Sequence, residues 1–312
     1  MRVVFFGTPE FAVPSLRALV GEGFDVVAVV TQPDAPQGRS RSKLIPPPVK
    51  VAAEAEDLTV FQPEKPTDGA FLLRLRDLTP DIGVVVAYGH ILKPELLELP
   101  PRGMVNVHPS LLPGLRGAAP VEWAIIRGHE ITGVTIIQLD AGMDSGPILH
   151  QIPHRIPPDV TTGELSAHLA EMGAQALIET LAMLEQADPP PMPVPQNEER
   201  ATYAPKLTRE LARIDWTKNA RAIGCLIRGL DPRPGAWTAL NGGGGEIKLF
   251  NPKVNEPGSG APGEVLSADG SLVIATGGGT VEVFEVQPAG KARMTTDDWL
   301  HGARIKPGTK FT

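Results

Sequence analysis

Two polar side chains alternate with valines in the segment from Met104 to His108, which reads MVNVH. If this segment is a β-strand, Asn106 and His108 point to the same face, because successive side chains alternate. An amide and an imidazole on an apolar strand are costly to bury unless polar groups meet them. A loop rich in proline and glycine follows, and α/β sheets hold ligands where strands end in such loops. The pair is therefore a candidate catalytic site.

A second polar segment, LDAGMDSG from Leu139 to Gly146, ends another apolar run and holds two carboxylates, Asp140 and Asp144. One of them could approach His108 in the folded chain. A strand histidine can equally be a satisfied structural residue, and an aspartate between glycines often serves only the turn. The residues alone leave both interpretations open.

These three group types suit acyl transfer to an amine. An asparagine amide can donate to a developing oxyanion, an imidazole can move a proton near neutral pH, and a carboxylate can orient the imidazolium. The chain has no G-x-S-x-G motif, which favours direct transfer without a covalent enzyme intermediate. The single cysteine, Cys225, lies among apolar residues of a predicted helix, where core packing is expected.

Other chemistries find less support in the sequence. The turn GTPEF, from Gly7 to Phe11, lacks the second and third glycines of a dinucleotide-binding loop, and no P-loop motif occurs. His150 and His154 are four residues apart, but Pro153 prevents a helical pair of metal ligands. We expect no metal site.

The composition is that of a globular protein of about two domains: 312 residues, 42% hydrophobic and 21% charged. No apolar run approaches the ~20 residues of a membrane-spanning helix, and the N-terminus reaches a Gly-Thr-Pro turn too early for a signal peptide. We expect a cytoplasmic monomer that does not contact membranes.

The first part of the chain alternates strand and helix patterns. Predicted strands cover residues 2–6, 24–31, 82–87, 104–108 and 133–139, and predicted helices cover 8–20, 49–56, 69–77, 119–127 and 161–185. Apolar strands separated by helices predict an α/β fold with a doubly wound, mostly parallel sheet covered on both faces. Thr8 and Pro9 are predicted to begin the first helix, and Thr161 and Glu164 to form a capping box for the last.

A proline-rich segment, DPPPMPVPQNEE from Asp188 to Glu199, predicts an extended spacer. It divides the chain into a catalytic domain (1–188), a linker (189–206) and a C-terminal domain (207–312). In the last, a helix over 216–230 precedes five short strands over 236–240, 246–250, 263–266, 272–275 and 281–286, which predicts a small β-barrel.

Charge is distributed unevenly between the two parts of the chain. Residues 206–312 hold 14 Lys and Arg against 11 Asp and Glu, whereas the remainder holds 15 against 25. A mildly basic C-terminal domain could face a polyanion, although chance also produces differences of this size.

The stretch NVHPSLLPGLRGAAP, followed by GVTIIQLDAGMDSGPIL, resembles the folate-dependent formyltransferases. The flanking segments FFGTPEFAVPSL, VVTQPDAPQGR, PPPVKVAAE, VVVAYGHILK and ARIDWTKNA are similar to those of the methionyl-tRNA formyltransferases, and the similarity extends through both domains. It implies a Rossmann-like formyltransferase domain followed by an OB-like barrel. It also implies that Asn106, His108 and Asp144 are the catalytic trio. The loop Ser110-Leu111-Leu112-Pro113 would hold the co-substrate, 10-formyltetrahydrofolate.

The same resemblance implies an acceptor, initiator methionyl-tRNA, formylated for translation initiation. The C-terminal domain would bind this RNA, and Arg39, Arg41 and Lys43 would reach its acceptor end as phosphate or base contacts. A formyltransferase acting on a small amine, glycinamide ribonucleotide or an amino sugar, stays open, although a basic second domain is surplus to such an acceptor. A non-catalytic RNA- or folate-binding protein also stays open, and it would not require His108 and Asp144.

Overall fold

The computed structural model describes residues 1–37, 43–187, 192–240, 245–255, 258 and 260–312, and the chain forms two compact units. The first unit comprises Met1–Gly117, Ile131–Arg155 and Ser166–Tyr203, and the second comprises Ala118–Glu130, Ile156–Leu165 and Ala204–Thr312. Residues 118–130 and 156–165, which the sequence analysis placed in the catalytic domain, thus cluster with the second unit. Their contacts explain why: the Thr162 hydroxyl donates to the Gly229 carbonyl (2.8 Å), and Ile126 lies against the Cα of Gly229.

Within the described residues, the first unit contains nine strands. They are β1 (Arg2–Gly7), β2 (Asp25–Val30), β3 (Ala35–Gln37), β4 (Lys43–Ile45), β5 (Val60–Phe61), β6 (Ile82–Val86), β7 (Met104–His108), β8 (Ile131–Gln138) and β9 (Ile148–Arg155). Seven form one sheet in the order β5-β2-β1-β6-β7-β8-β9, while β3 and β4 pair separately. Neighbours from β5 to β7 are parallel, and β8 and β9 are antiparallel. Every residue of β6 is buried, as expected of a strand covered on both faces. The predicted doubly wound, mostly parallel sheet is confirmed.

The helices are α1 (Val13–Gly21), α2 (Pro48–Ala55), α3 (Gly69–Asp77), α4 (Pro94–Leu97), α5 (Pro120–Ile126), α6 (Thr162–Gln186), α7 (Ala220–Gly229) and α8 (Thr296–Gly302). The capping box of α6 is present: the Thr161 N–H donates to Glu164 Oε2 at 2.9 Å, and the Glu164 N–H donates to Thr161 Oγ1 at 3.3 Å. The Thr161 N–H and the Thr161 hydroxyl, which also donates to Glu164 Oε2 at 2.7 Å, hold the pKa of Glu164 below its ordinary value. Among the described residues, no helix has the length and apolar content to cross a bilayer.

The prediction for the first helix was wrong at its start. Thr8 does not cap a helix, because its hydroxyl donates to the Tyr88 carbonyl at 2.9 Å. Pro9 precedes a short 3-10 turn, Glu10–Ala12, and α1 begins only at Val13, with Pro14 in its first turn. A tertiary partner for the threonine hydroxyl thus replaced the local cap.

The second unit contains an antiparallel sheet built from β10 (Ala236–Ala239), β11 (Glu246–Asn255), β12 (Val265–Asp269), β13 (Ser271–Ala275), β14 (Thr280–Pro288) and β15 (Met294–Thr295). The order is β10-β11-β14-β13-β12, and β15 pairs with β14. The C-terminal residues then join both edges: Phe311 bridges to Leu240 beside β10, and Lys310 bridges to Glu264 beside β12. The sheet therefore closes on itself, as the barrel prediction requires.

Trp216 does not begin the helix that the sequence predicted over 216–230. Instead, Asn219 caps α7 by accepting from the Ala222 N–H at 2.8 Å. Trp216 is buried in the barrel core, where its indole N–H donates to Thr238 Oγ1 at 2.9 Å. An indole that fills the core and satisfies its donor stabilises the barrel rather than the helix start.

Candidate active site

The strand β7 presents Asn106 and His108 on one face and its valines on the other. The valine face packs on α6: a Cβ added to Gly173 would come within 2.7 Å of Val107 Cγ1. Asn106 is partly exposed, whereas His108 is buried. The two polar side chains therefore lie on the face of the sheet opposite α6, with only Asn106 reaching solvent.

The two ring nitrogens of His108 have different partners. Nε2 lies 3.0 Å from the Leu115 carbonyl oxygen, and a carbonyl only accepts, so Nε2 carries a proton and donates it. Nδ1 lies 3.7 Å from Asp144 Oδ2, which is longer than a hydrogen bond. Nδ1 is therefore the nitrogen that can exchange a proton with a substrate, and it lies beside a carboxylate.

The two carboxylates of the turn after β8 have separate roles. Asp140 serves the turn, because its Oδ1 accepts from the Gly142 N–H (2.9 Å) and the Ser145 hydroxyl (3.0 Å). Asp144 Oδ2 accepts from the Gly117 N–H at 2.8 Å and faces His108. Of the two, Asp144 is the carboxylate that the fold brings to the histidine.

The route of Asp144 to His108 could not be read from the sequence. Because β8 runs antiparallel to β7, the turn begins beside the start of β7, where the Leu139 N–H donates to the Met104 carbonyl at 2.7 Å. The chain then folds back so that Asp144, at a φ of 51°, approaches the other end of β7. The proximity of Asp144 to His108 therefore depends on the tertiary structure.

In the predicted folate loop, alternate residues face different surroundings. Ser110 and Leu112 are buried, and the Ser110 hydroxyl donates to the Gly114 carbonyl at 2.6 Å. Leu111 and Pro113 are partly exposed. Within this loop, Leu111 and Pro113 are thus the residues that offer apolar surface to a ligand.

Two residues that the sequence analysis missed hold this loop in place. Thr135 Oγ1 donates to the Ser110 carbonyl (2.6 Å) and accepts from the Leu112 N–H (3.1 Å). Gln151 Nε2 donates to the Leu112 carbonyl (2.9 Å) and to Thr135 Oγ1 (2.9 Å). The sequence offers only a weak indication of this role, because Thr135 in β8 and Gln151 in β9 are each one of several polar residues in their strand.

The predicted RNA loop is described only at its ends. Arg39 and Arg41 lie outside the described residues, and Lys43 is described as a residue of β4. Before the loop, Asp34 accepts from Lys50 Nζ at 2.8 and 2.9 Å and from Gln62 Nε2 at 2.7 Å. Hydrogen bonds from Gln62 and Lys50 hold the pKa of Asp34 below its ordinary value. The carboxylate thus ties the start of this loop to two other segments.

The second unit has a cavity of about 700 Å³, lined by Pro232, Arg233, Pro234, Lys248, Phe250, Gln287 and Arg293. The guanidinium of Arg293 is paired with Asp231 (2.7 Å) and Glu285 and lies 4.2 Å above the ring of Phe250. Arg233 and Lys248 have no ion-pair partner in the part of the chain that the structure describes. The cavity therefore borders on two cations that are available to an anion.

Three histidines away from the site contact other side chains. His150 contacts Glu179 at 3.0 Å, and the ring of His154 lies 4.4 Å from that of His168. Over the described ranges, no three residues of the His, Cys, Asp and Glu types are grouped so that they could hold a metal ion. Cys225 is buried and has a free thiol.

Comparison with known proteins places the chain in a family. The formyl transferase family matches residues 1–181, and the formyl transferase C-terminal domain matches residues 206–304. The chain belongs to the formyltransferase family. The resemblance noted from the sequence is thus confirmed, and with it the prediction of an enzyme that transfers a formyl group.

Within this family, the chain is similar to methionyl-tRNA formyltransferases over nearly its whole length. The methionyl-tRNA formyltransferase of Acetivibrio thermocellus is 45% identical to this chain over 99% of it and 98% of the relative. That of Desulfotalea psychrophila is 47% identical over 98% of this chain and 94% of the relative. Among solved structures, a variant of HypX from Aquifex aeolicus matches 98% of this chain with a TM-score of 0.68 and 20% identity. This chain spans about half of HypX (49%), and the likeness shows a shared fold.

Proposed function

We propose that this chain transfers the formyl group of 10-formyltetrahydrofolate to the α-amino group of initiator methionyl-tRNA, which prepares that tRNA for translation initiation. One observation carries the proposal. Asn106, His108 and Asp144 gather around β7 in a chain that matches methionyl-tRNA formyltransferases over nearly its whole length.

The residues of the site suit direct attack by an amine. In such a transfer the amine nitrogen bonds to the formyl carbon, the formyl oxygen becomes an oxyanion, and the bond to the folate nitrogen then breaks. In the proposed reaction, Asn106 donates its amide N–H to the oxyanion. His108 acts through Nδ1, because its Nε2–H is committed to the Leu115 carbonyl. As an imidazolium, His108 stabilises the oxyanion and then gives its Nδ1 proton to the departing folate nitrogen.

Proton balance needs only His108 and the two substrates. The proton released by the attacking amine restores the proton that Nδ1 has given up, so no further reactant is required. Asp144, 3.7 Å from Nδ1, offsets the positive charge of the imidazolium and fixes the ring orientation. For the folate loop, we propose that Leu111 and Pro113 contact the co-substrate while Ser110 and Leu112 shape the loop.

RNA binding is proposed for the C-terminal domain and for the loop that contains Arg39, Arg41 and Lys43. Arg233 and Lys248 line the cavity and have no ion-pair partner among the described residues. They support this proposal because phosphate contacts dominate RNA affinity. We retain the functional division into a catalytic domain (1–188), a linker (189–206) and an RNA-binding barrel domain (207–312). We also propose that the enzyme acts in the cytoplasm as a monomer without membrane contact.

A labelling assay with several acceptors tests the proposal. The purified chain is incubated with 10-formyltetrahydrofolate, labelled in its formyl group, and with methionyl-tRNA, glycinamide ribonucleotide or a nucleotide-linked amino sugar. We expect label in the methionyl-tRNA. Label in a small amine instead would overturn the acceptor, and label in none of them would overturn the enzymatic function.

A pair of histidine variants separates an enzyme from a binding module. His108→Ala should abolish labelling while tRNA affinity, measured by filter binding, stays within about twofold. His150→Ala is the matched control. His150 lies in β9 of the same sheet and pairs with Glu179 of α6, so this variant should leave labelling intact. Full activity of the His108 variant would favour a site elsewhere.

A further inference from the structure

Gln196 binds the turn that carries Asp144. Its Nε2 lies 2.7 Å from the Asp144 carbonyl oxygen and 2.7 Å from the Gly146 carbonyl oxygen. A carboxamide nitrogen has two hydrogens, so this one side chain satisfies both carbonyls. Asp144 has a φ of 51°, a left-handed conformation that is uncommon for a residue with a side chain. A turn in this conformation needs contacts from outside, and Gln196 supplies two.

Arg116 sets the orientation of the Gln196 amide. Gln196 Oε1 accepts from Arg116 Nε at 3.0 Å and from Arg116 Nη2 at 2.7 Å. The same guanidinium donates to both carboxylate oxygens of Glu198 at 2.8 Å. Arg116 is only 2% exposed, so its guanidinium is held in one position. With Oε1 facing the guanidinium, the two hydrogens of Nε2 must face the turn.

The neighbours of Arg116 contact both members of the candidate catalytic pair. The Leu115 carbonyl accepts from His108 Nε2, and the Gly117 N–H donates to Asp144 Oδ2. Arg116, between them, reaches the main chain of Asp144 through Gln196. Three consecutive residues thus fix the histidine ring, the aspartate carboxylate and the aspartate main chain relative to one another.

Gln196 lies in the proline-rich segment that the sequence analysis described only as a spacer. In the structure, Val194 exchanges two main-chain hydrogen bonds with Ile148 (2.7 and 2.8 Å). Further along, Thr202 Oγ1 accepts from the Leu115 N–H at 2.9 Å. The segment is therefore bound to the start of β9 on one side of Gln196 and to the 115–117 loop on the other.

We propose that Gln196, oriented by Arg116, is a positioning residue that holds Asp144 at the distance from His108 that formyl transfer requires. The inference rests on the proposed function of the site. It assigns to the segment after α6 a part in catalysis beyond that of a connection. Gln196 itself touches no substrate.

The variant Gln196→Glu tests the donor role. A carboxylate keeps the acceptor for Arg116 but has no hydrogens for the Asp144 and Gly146 carbonyls. We expect kcat to fall by up to about 100-fold, since a misplacement of about 1 Å has that effect, with little change in KM for either substrate. Gln196→Met removes the donors without adding a charge, and it should likewise lower kcat with little change in KM. If the Met variant keeps wild-type kcat, the proposal is wrong.

The matched control is Asn197→Asp, the same amide-to-acid change one residue away. Asn197 is exposed, and its Oδ1 accepts from the Glu199 N–H, which an aspartate can still do. We expect wild-type kcat and KM from this variant. A loss equal to that of Gln196→Glu would show that any negative charge in the segment acts, and would overturn the assignment to Gln196.

A double-mutant cycle asks whether Gln196 acts through Asp144. In an Asp144→Asn background, Gln196→Glu should reduce the remaining kcat by less than about twofold, because there is no carboxylate left to position. If the two substitutions together lower kcat by the product of their separate effects, Gln196 acts independently of Asp144 and the proposal is overturned. A wild-type chain without activity on methionyl-tRNA would instead overturn the proposed function, so the two failures are distinguishable.

Discussion

The candidate active site of the first unit and the cavity of the second unit hold their charged groups in different ways. At the site, His108 and Asp144 are held by main-chain partners from the 115–117 loop. At the cavity, Arg233 and Lys248 have no ion-pair partner within the described ranges. Chemistry at a carbonyl needs groups that stay in place, whereas a flexible polyanion is bound well by cations that are free to move. The difference supports the proposed division of labour, in which the first unit transfers the formyl group and the second unit binds RNA.

The largest expected effect is at the fixed site. Asn106→Ala removes the proposed oxyanion donor, which typically contributes about 3 kcal/mol, so turnover should fall by about 10²-fold or more. KM for both substrates should change little, because the donor acts mainly in the transition state. Steady-state kinetics of the purified variant measure this, and near wild-type turnover would remove Asn106 from the mechanism.

The next effect tests whether a buried polar group of the first unit needs a partner. In the described part of the chain, the Tyr88 hydroxyl is buried without a hydrogen-bond partner, and burial raises the pKa of Tyr88 to about 12. An unfolded tyrosine ionises near pH 10, so the unfolded state loses its proton first, and stability falls as pH rises from about 10 to 12. The loss amounts to roughly 2–3 kcal/mol.

Tyr88→Phe should abolish this alkaline loss and leave stability at pH 7 unchanged or higher, because an unpartnered hydroxyl is costly to bury. Urea unfolding of both proteins at pH 7 to 12 measures it, with the difference between them as the readout. Parallel curves for the two proteins would contradict the prediction.

A smaller effect is expected at the free cations. Neutralising Arg233 and Lys248 together to Gln should weaken methionyl-tRNA binding several-fold and reduce the salt slope of log K by about one for each lost phosphate contact. The control is Lys306→Gln with Lys310→Gln, the same charge change on exposed residues of the second unit that do not line the cavity. Equal losses from both pairs would mean that overall charge, not the cavity, attracts the RNA.

The smallest expected effect is on stability and comes from the capping box at the start of α6. Thr161→Ala removes the capping box of α6 and should lower the free energy of unfolding by about 1 kcal/mol. Thermal unfolding measures it against Thr59→Ala, a change at an exposed threonine. If both variants unfold alike, the cap contributes nothing measurable.

Local patterns predicted the elements well where no distant partner intervened. The bounds of α3 and β7 match the sequence analysis, and the predicted capping box of α6 is confirmed. The helix starts predicted at Thr8 and Trp216 were wrong because each side chain has a tertiary partner, the Tyr88 carbonyl for Thr8 and the barrel core for Trp216. The strand β9 was missed, since its polar residues and Pro153 suit a sheet edge, which no local pattern identifies.

The sequence by itself determined the two kinds of sheet, the apolar core and the chemical types at the site, because hydrophobic periodicity and side-chain chemistry are local properties. Only the tertiary structure decided which aspartate meets His108, which ring nitrogen is free, and that Gln196 binds the Asp144 turn. Those choices depend on distances between residues up to 52 positions apart, such as Asp144 and Gln196. Such distances are fixed by packing and main-chain hydrogen bonds, which a linear pattern does not contain.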